Sequence, residues 1–257
     1  MTDSPFVENF FEYSNDDSDV YPIQFFSLQN PNAVQDFIFV NGFSDPVQNH
    51  EDIFRELADR GYRVWAINMP GHGKSGKVPQ VNWETLVEIV RTFVTNMGIE
   101  EHVMGGFSMG GGVALMYSGM YPDNIKAIRV LSPFCYGLTS MGQTFIGAAK
   151  FTIDFLRNSR ANPSNKKPPS NEIYPMYYIP HYSSVIMRPI EVNSKALKNI
   201  PIDVVVGDMD EVVNFELVKQ ALGELHNAKF RTVKGLGHDI YFVEREMIEE
   251  IAEYLVK

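Results

Sequence analysis

The sequence predicts an α/β fold in which a mostly parallel, eight-stranded sheet is flanked by helices on both faces. Two observations carry this prediction. Short apolar runs of strand length alternate with amphipathic runs of helix length through most of the 257-residue chain. A glycine-flanked serine also stands where one such strand gives way to a helix. The composition, 44% hydrophobic and 21% charged, is typical of a globular chain that forms one large domain with an insertion.

Strand-like segments come first, and strands and helices then alternate. The predicted strands are Phe6–Tyr13, Val20–Leu28, Phe37–Val40, Tyr62–Ile67, His102–Phe107, Ala127–Leu131, Val204–Val206 and Lys229–Val233. The predicted helices are Glu51–Arg60, Trp83–Asn96, Met109–Tyr121, Glu216–Leu225 and Ile240–Val256. The alternation breaks between residues 132 and 200, which indicates an insertion there.

The most informative motif is Gly106-Phe107-Ser108-Met109-Gly110, which has the pattern G-x-S-x-G. Its place between a strand and a helix suits a sharp turn that lifts a nucleophilic serine clear of the sheet, and side chains in place of the flanking glycines would clash. The alternative is a flexible glycine loop or a phosphate cradle. A P-loop, however, needs Lys-Ser/Thr where Gly111-Gly112 stand here. The motif therefore indicates Ser108 as the nucleophile of a serine hydrolase.

A nucleophilic serine needs a base, and the base needs an acid that orients it, in the chain order Ser, Asp or Glu, His. We predict His238 as the base because it follows a strand directly in a glycine-containing loop, whereas His226 lies at a helix end, where a solvated or capping role is expected. The loop after Val204–Val206 supplies the acid: Asp210 is preferred, and Asp208 is the alternative. Asp210 would accept the Nδ1 proton of His238.

The oxyanion of an acyl-transfer reaction needs hydrogen-bond donors aimed at it. One predicted donor is the backbone N–H of Met109, the residue after the nucleophile. The other is the backbone N–H of Phe43, in the loop that follows the third strand. Gly42 is expected to permit a tight turn in that loop.

Taken together, these blocks resemble the α/β-hydrolase family of the Ser-Asp-His type over nearly all of the chain, most closely its monoacylglycerol lipase and lysophospholipase-like branch (serine aminopeptidase S33-type). Asn41-Gly42 stands where the family usually has His-Gly. The family block Asp-x-x-Gly-x-Gly-x-Ser appears at residues 68–75 as Asn68-Met69-Pro70-Gly71-His72-Gly73-Lys74-Ser75. Asn68 stands in place of the Asp, and this change is expected to alter a structural turn more than the chemistry. Gly71–Gly76 also fits G-x-G-x-x-G, but neither a continuing helix nor an acidic strand end follows, as a dinucleotide site requires.

The resemblance implies that residues 136–199, inserted after the sixth strand, form a helical cap over the active site of a core made of residues 1–135 and 200–257. The cap holds eight Lys and Arg residues against three acidic ones. One interpretation is a helical layer with a basic solvent face. The other is a hydrophobic acyl pocket, with Phe145, Phe155, Tyr178 and Met187 as candidate lining residues, under a rim that attracts an anionic headgroup, an anionic lipid surface or an acyl carrier protein.

Composition limits the other function classes. A net charge of −10 argues against nucleic acid as a partner, and no apolar run approaches membrane-spanning length. The acidic amino terminus lacks the basic and apolar regions of a secretion signal. The single cysteine, Cys135, excludes an internal disulfide and is expected to be a small buried side chain, so a cytoplasmic location is expected.

The sequence thus predicts a carboxylic ester hydrolase that forms an acyl-enzyme on Ser108 and needs neither a metal nor an organic cofactor. Its substrate would be a small-molecule acyl ester, and the resemblance suggests monoacylglycerols or lysophospholipids. Three alternatives share the fold: a carrier-protein-linked methyl ester or thioester hydrolase, a cofactor-free haloperoxidase or perhydrolase, and a receptor that binds a ligand without turnover.

Overall fold

An eight-stranded sheet forms the centre of the computed structural model, which describes residues 4–15, 19–43, 45–136, 181–223, 225–238, 240 and 243–256. The strands are β1 (Phe6–Ser14), β2 (Val20–Leu28), β3 (Gln35–Val40), β4 (Tyr62–Ile67), β5 (His102–Phe107), β6 (Ile125–Leu131), β7 (Ile202–Gly207) and β8 (Ala228–Val233). They lie in the order β1-β2-β4-β3-β5-β6-β7-β8. Strand β2 runs antiparallel to β1 and β4, and all the other neighbours are parallel, which confirms the predicted mostly parallel sheet.

Helices cover both faces of this sheet. In the described ranges the α-helices are α1 (Glu51–Asp59), α2 (Trp83–Met97), α3 (Met109–Met120), α4 (Ser183–Met187), α5 (Ser194–Leu197), α6 (Phe215–Ala221) and α7 (Arg245–Val256), and two short 3-10 helices span Val47–His50 and Pro122–Asn124. Helix α2 begins where the Asn82 side chain accepts the Thr85 N–H and ends at Gly98, whose φ is 62°. Helix α7 begins later than predicted because Ile240 belongs to the loop after β8 and packs into the core.

Successive strand residues point to opposite faces and so fill two cores. In β3, Ile38 and Val40 pack with α2 and α3, whereas Phe37 and Phe39 pack with α1 and α7. Because β3 and β5 to β8 are parallel, their carboxyl ends share one edge of the sheet. The loops that carry the predicted site residues all leave from that edge, as is usual for ligand sites in open α/β sheets.

A buried polar network lies beneath the loop that follows β4. The Asn68 amide donates to the side-chain carbonyls of Gln24 (2.8 Å) and Gln48 (2.9 Å), and its own carbonyl accepts the Val47 N–H (2.9 Å). A carboxylate cannot donate, so the asparagine is what allows this arrangement. Gln24 in turn donates to Glu8 of β1, whose carboxylate also pairs with Lys74. After the glycines of this loop, helix α2 begins only at Trp83, so no helix follows in the position of a dinucleotide site.

Asp203 of β7 forms a buried ion pair with two arginines from the neighbouring strands. Its carboxylate lies 2.7 Å from Arg129 Nη1 and 3.2 Å from Arg231 Nε. The Asp203 and Arg129 side chains are 2% and 8% exposed. We expect Asp203→Asn to lower the free energy of unfolding by about 3–5 kcal/mol, because it leaves a buried guanidinium without its anion. Urea denaturation measures this loss.

The matched control is Glu249→Gln, which breaks the ion pair with Arg245 on the surface of α7, where the two side chains are 46% and 56% exposed. That change should cost less than about 1 kcal/mol because water screens the pair. An equally small cost for Asp203→Asn would show that the buried pair contributes little to stability.

Two buried histidines should make the fold sensitive to acid. Burial lowers the pKa of His72 and of His102 to about 4, from an ordinary value of 6.5. Between these pH values the unfolded chain binds protons that the folded chain does not. The contribution of the two neutral histidines to the free energy of unfolding is therefore fully present above pH 6.5 and is lost as the pH falls toward 4. At His102, burial outweighs the opposing effects of the Glu100 backbone and the Asp36 charge. We therefore expect His102→Leu to gain stability relative to the wild type, by about 1.4 kcal/mol for each pH unit over this range.

Thermal unfolding midpoints of both proteins across this pH range provide the measurement. Parallel pH dependences in His102→Leu and the wild type would contradict the prediction.

Candidate active site

Ser108 lies at the sharp turn between β5 and α3. Its φ of 51° and ψ of −114° place it in a backbone region that residues with a side chain rarely occupy. Three hydrogen bonds hold it there: its N–H donates to the Leu131 carbonyl (2.9 Å), and its own carbonyl accepts the N–H groups of Phe134 (2.8 Å) and Gly112 (3.2 Å). The turn therefore fixes the direction of the Ser108 side chain.

The two flanking glycines are required by close packing, as predicted. A Cβ at Gly106 would lie 2.3 Å from the Gly110 carbonyl, and a Cβ at Gly110 would lie 2.1 Å from the Val40 carbonyl oxygen. The turn expected at Gly42 is present, since the Asp45 N–H donates to the Gly42 carbonyl (3.3 Å). The φ of Gly42 is not among the positive values, however, so the backbone of this turn does not require a glycine. A Cβ at Gly42 would lie 2.6 Å from the Phe107 ring, so what requires the glycine is the close packing of the loop against β5.

The structure brings the three predicted catalytic residues together. His238 Nε2 lies 3.1 Å from Ser108 Oγ, and His238 Nδ1 lies 2.9 Å from an Asp210 carboxylate oxygen. Since a carboxylate only accepts, Nδ1 carries the proton and Nε2 is left to accept the serine proton. The Asp210 side chain is 1% exposed, and the His238 side chain is 10% exposed. This geometry is that of a nucleophile, a base and an orienting acid.

Asp210, rather than Asp208, is the carboxylate that faces His238. One Asp210 oxygen accepts the N–H groups of Val212 (2.9 Å) and Val213 (2.8 Å), which leaves the other for the histidine. Asp208 is exposed and accepts the Gly235 N–H instead (2.6 Å). Burial acts to raise the pKa of Asp210, but the hydrogen bond and charge of His238, with the Val213 N–H and the Ser132 hydroxyl, hold that pKa below its ordinary value. Asp210 is therefore ionised at neutral pH.

The two predicted oxyanion donors lie in suitable elements, and their role stays a prediction. Met109 is the first residue of α3, so its N–H is one of the first-turn donors for which the helix has no carbonyl. Phe43 lies in the loop after β3, and its ring packs against His72 (5.9 Å between ring centres) and Tyr182 (5.3 Å). Cys135 is buried as expected, and burial raises its pKa to about 12.

The predicted pocket falls mostly outside the described residues. Phe145, Phe155 and Tyr178 lie there, and Met187 ends α4 with its side chain outside the description. Tyr182 is a residue that sequence reasoning did not assign to the site. It is buried, and its hydroxyl donates to the Pro70 carbonyl (2.9 Å). No local sequence signal identifies it, because its ring partners come from two distant loops.

Of the predicted cap, residues 136 and 181–199 are described. This returning part of the insertion lies against the start of α2. The His181 carbonyl accepts the Val81 N–H (3.2 Å), and the Trp83 indole N–H donates to the Arg188 carbonyl (3.0 Å). The Ile190 N–H donates to the Cys135 carbonyl (3.1 Å), which joins the two ends of the insertion.

Within the described part of the chain, no three or more His, Cys, Asp or Glu side chains are arranged to bind a metal ion. The helices found in those same ranges are too short or too polar to cross a membrane.

Comparisons with known proteins agree with this geometry. A model of the alpha/beta hydrolase fold family matches residues 37–165. The chain is 25% identical over 244 residues to "Putative esterase/lipase 2" of Mycoplasma pneumoniae, a match that covers 85% of this chain and 88% of that protein. It is also 26% identical over 120 residues to a monoacylglycerol lipase of Mycolicibacterium smegmatis, covering 44% and 42% of the two chains.

Among solved structures, a carboxylesterase of the thaumarchaeon Nitrososphaera gargenis is similar in fold. Its TM-score is 0.74 at 15% sequence identity, over 95% of this chain and 97% of that one. At this identity the likeness concerns the fold. The names of the sequence relatives support the predicted class of enzyme, a carboxylic ester hydrolase.

Proposed function

This chain belongs to the α/β-hydrolase fold family, and we propose that it is a serine esterase that cleaves carboxylic esters through an acyl-enzyme on Ser108. The observation that carries the proposal is the unbroken series of hydrogen bonds from the Ser108 hydroxyl through His238 to Asp210. That series supplies a nucleophile whose proton has an acceptor and a base whose positive charge has a counter-ion.

The reaction follows from this arrangement. Ser108 Oγ attacks the ester carbonyl carbon while its proton passes to His238 Nε2, and Asp210 stabilises the imidazolium. The backbone N–H groups of Phe43 and Met109 hold the negative oxygen of the tetrahedral intermediate. His238 then gives the proton to the leaving alcohol as the carbon–oxygen bond breaks. A water molecule, deprotonated by His238, releases the acid and regenerates the serine.

Within this class we propose an acyl substrate of the monoacylglycerol or lysophospholipid type. The named monoacylglycerol lipase relative supports this, as do the rings of Tyr182 and His72 that pack against Phe43 in the loop after β3. The excess of basic residues in 136–199 supports attraction of an anionic headgroup, an anionic lipid surface or an acyl carrier protein.

Hydrolysis of p-nitrophenyl esters from acetate to palmitate tests the reaction and the acyl preference together. A maximum at long chains supports a lipid-type substrate, whereas a maximum at acetate or butyrate contradicts it. Diisopropyl fluorophosphate should inactivate the protein, and the peptide that contains Ser108 should carry the added mass. A protein that neither hydrolyses any ester of the series nor reacts with the fluorophosphate is not a serine esterase, and the alternative of a ligand receptor is then preferred.

A further inference from the structure

Residues 132–136, which we call the β6 exit segment, contact more of the active site than their sequence indicates. The segment reads Ser-Pro-Phe-Cys-Tyr and joins the end of β6 to the insertion. None of its residues belongs to the proposed triad. Its contacts nevertheless reach both the nucleophile turn and the loop that carries Asp210.

On the nucleophile side, the segment is packed as closely as backbones allow. The Phe134 N–H donates to the Ser108 carbonyl (2.8 Å). A Cβ at Gly112 would lie 2.4 Å from the Phe134 carbonyl oxygen, and a Cβ at Gly111 would lie 2.8 Å from Pro133. The first turn of α3 and the exit segment therefore have a fixed separation, which only glycines permit.

On the acid side, the measured contacts come from Tyr136. Its hydroxyl accepts the Asn214 N–H (2.7 Å) and donates to the Val212 carbonyl (3.4 Å), so it bridges the turn that the Asp210 carboxylate closes. Ser132 is 1% exposed, and its hydroxyl is one of the groups that hold the pKa of the Asp210 carboxyl below its ordinary value.

The backbone of Ser132 has a strained conformation. In the described ranges, Ser108 and Ser132 are the two residues other than glycine with a positive φ, which is 41° at Ser132. The Ser132 N–H donates to the Val205 carbonyl of β7 (2.7 Å). Glycine would adopt this conformation without strain but would lack the hydroxyl. Strain of this kind is characteristic of functional sites, and here it lies at a buried serine between the nucleophile turn and β7.

We propose that Ser132 and Tyr136 are positioning residues of the catalytic triad: Ser132 donates to the Asp210 carboxylate, and Tyr136 holds the backbone of the Asp210 loop. The inference rests on the proposed function, because it assigns to these two residues an effect on the reactivity of Ser108. Neither residue is expected to touch the substrate carbonyl.

The two roles predict different pH profiles. The ionisable groups that face Asp210 are His238 and the Tyr136 hydroxyl, while Asp208 and Glu211 lie on its own loop. Without the Ser132 hydroxyl the pKa of the Asp210 carboxyl should rise, because one of the groups that lower it is lost. Asp210 would then be protonated at higher pH, so the acid limb of Ser108 reactivity should move to higher pH, and the rate should fall about tenfold. Loss of the Tyr136 hydroxyl should lower the rate and leave that limb in place.

The test measures the second-order rate of inactivation by diisopropyl fluorophosphate against pH, on the full chain. In this reaction Ser108 Oγ bonds to phosphorus, fluoride leaves and His238 takes the serine proton, so the rate reports on the triad without knowledge of the natural ester. The variants are Ser132→Ala, Ser132→Gly and Tyr136→Phe. Both Ser132 variants lose the hydroxyl, but Ser132→Gly also relieves the backbone strain, which separates the hydroxyl from the conformation.

The matched controls are Ser118→Ala and Tyr121→Phe. Ser118 is a buried serine of α3 whose hydroxyl has no hydrogen-bond partner in the described structure, and the Tyr121 hydroxyl bonds Glu88 (2.6 Å) and Arg91 (3.0 Å) at the far end of that helix. Both controls should react like the wild type. Thermal unfolding midpoints identify any variant that does not fold. The inactivation rates of those Ser132 and Tyr136 variants that do fold then decide the result.

We expect both Ser132 variants to react about tenfold more slowly than the wild type with a displaced acid limb. A Ser132→Gly protein that behaves like the wild type would overturn the role of the hydroxyl. Unchanged rates in the Tyr136→Phe protein would overturn the role of that residue. A wild-type protein that does not react at all would instead overturn the proposed function.

Discussion

Ser108→Ala is expected to lower kcat for p-nitrophenyl ester hydrolysis by a factor on the order of 10⁵ to 10⁶. The reason is that no other group stands at hydrogen-bond distance from His238 Nε2 in the described structure, so removal of the Ser108 oxygen leaves the base with no nucleophile to activate. Substrate binding should persist, and KM should change much less than kcat. Initial rates over a range of ester concentrations separate the two constants.

Ser118→Ala is the control for this substitution, because it removes a buried hydroxyl from the same helix that follows the nucleophile. It should retain wild-type kcat. Should the Ser108→Ala protein keep most of the wild-type rate, another residue must attack the ester, and the acyl-enzyme on Ser108 would be abandoned.

Asp210→Asn is expected to lower kcat by about 10⁴-fold with little change in fold. An amide has nearly the shape of the carboxylate, but its N–H₂ group can donate to His238 Nδ1. The proton would then sit on Nε2, and the imidazole could no longer accept the Ser108 proton. The lost carboxylate charge also leaves the imidazolium without a counter-ion. Steady-state rates with the same chromogenic ester measure the effect.

The chain offers Asp208→Asn as the matched control on the same loop. Asp208 is exposed and accepts the Gly235 N–H, which an amide oxygen accepts equally well. Its kcat should remain within a few fold of the wild type. A larger loss for Asp208→Asn than for Asp210→Asn would exchange the assignments of the two carboxylates.

Most of the fold could be predicted because local signals and tertiary structure agree in this chain. The strand after Gly61 and the helix after Asn82 each begin within a residue of the predicted position, since glycine and an N-capping asparagine mark those boundaries. Helix α6 ends at Ala221, earlier than predicted, because the turn at Leu222 and Gly223 stops it. The helix predicted from Ile240 begins at Arg245, because burial of Ile240 in the core is a tertiary effect without a local signal.

Some residues of the candidate site could likewise be predicted from the sequence, and others could not. Ser108, Asp210 and His238 could be predicted because their chain order and their places after strands are enough to bring them to one edge of the sheet. Ser132 could not be predicted, since serine has no special preference for a positive φ, and Asp210, whose pKa Ser132 helps to lower, lies in a loop after another strand. The role of Gly42 was also beyond the sequence, because it depends on how closely the Phe107 ring approaches from β5.

The first strand lies at an edge of the sheet, yet its Glu8 accepts from Gln24 and pairs with Lys74, and Gln24 supports Asn68 beneath the loop after β4. Hydrogen bonds and an ion pair therefore connect the amino-terminal hairpin to the loop that follows β4. Trimming the first strand, or pulling it away with a fused partner, would remove the Glu8 carboxylate that the Gln24 amide and Lys74 share.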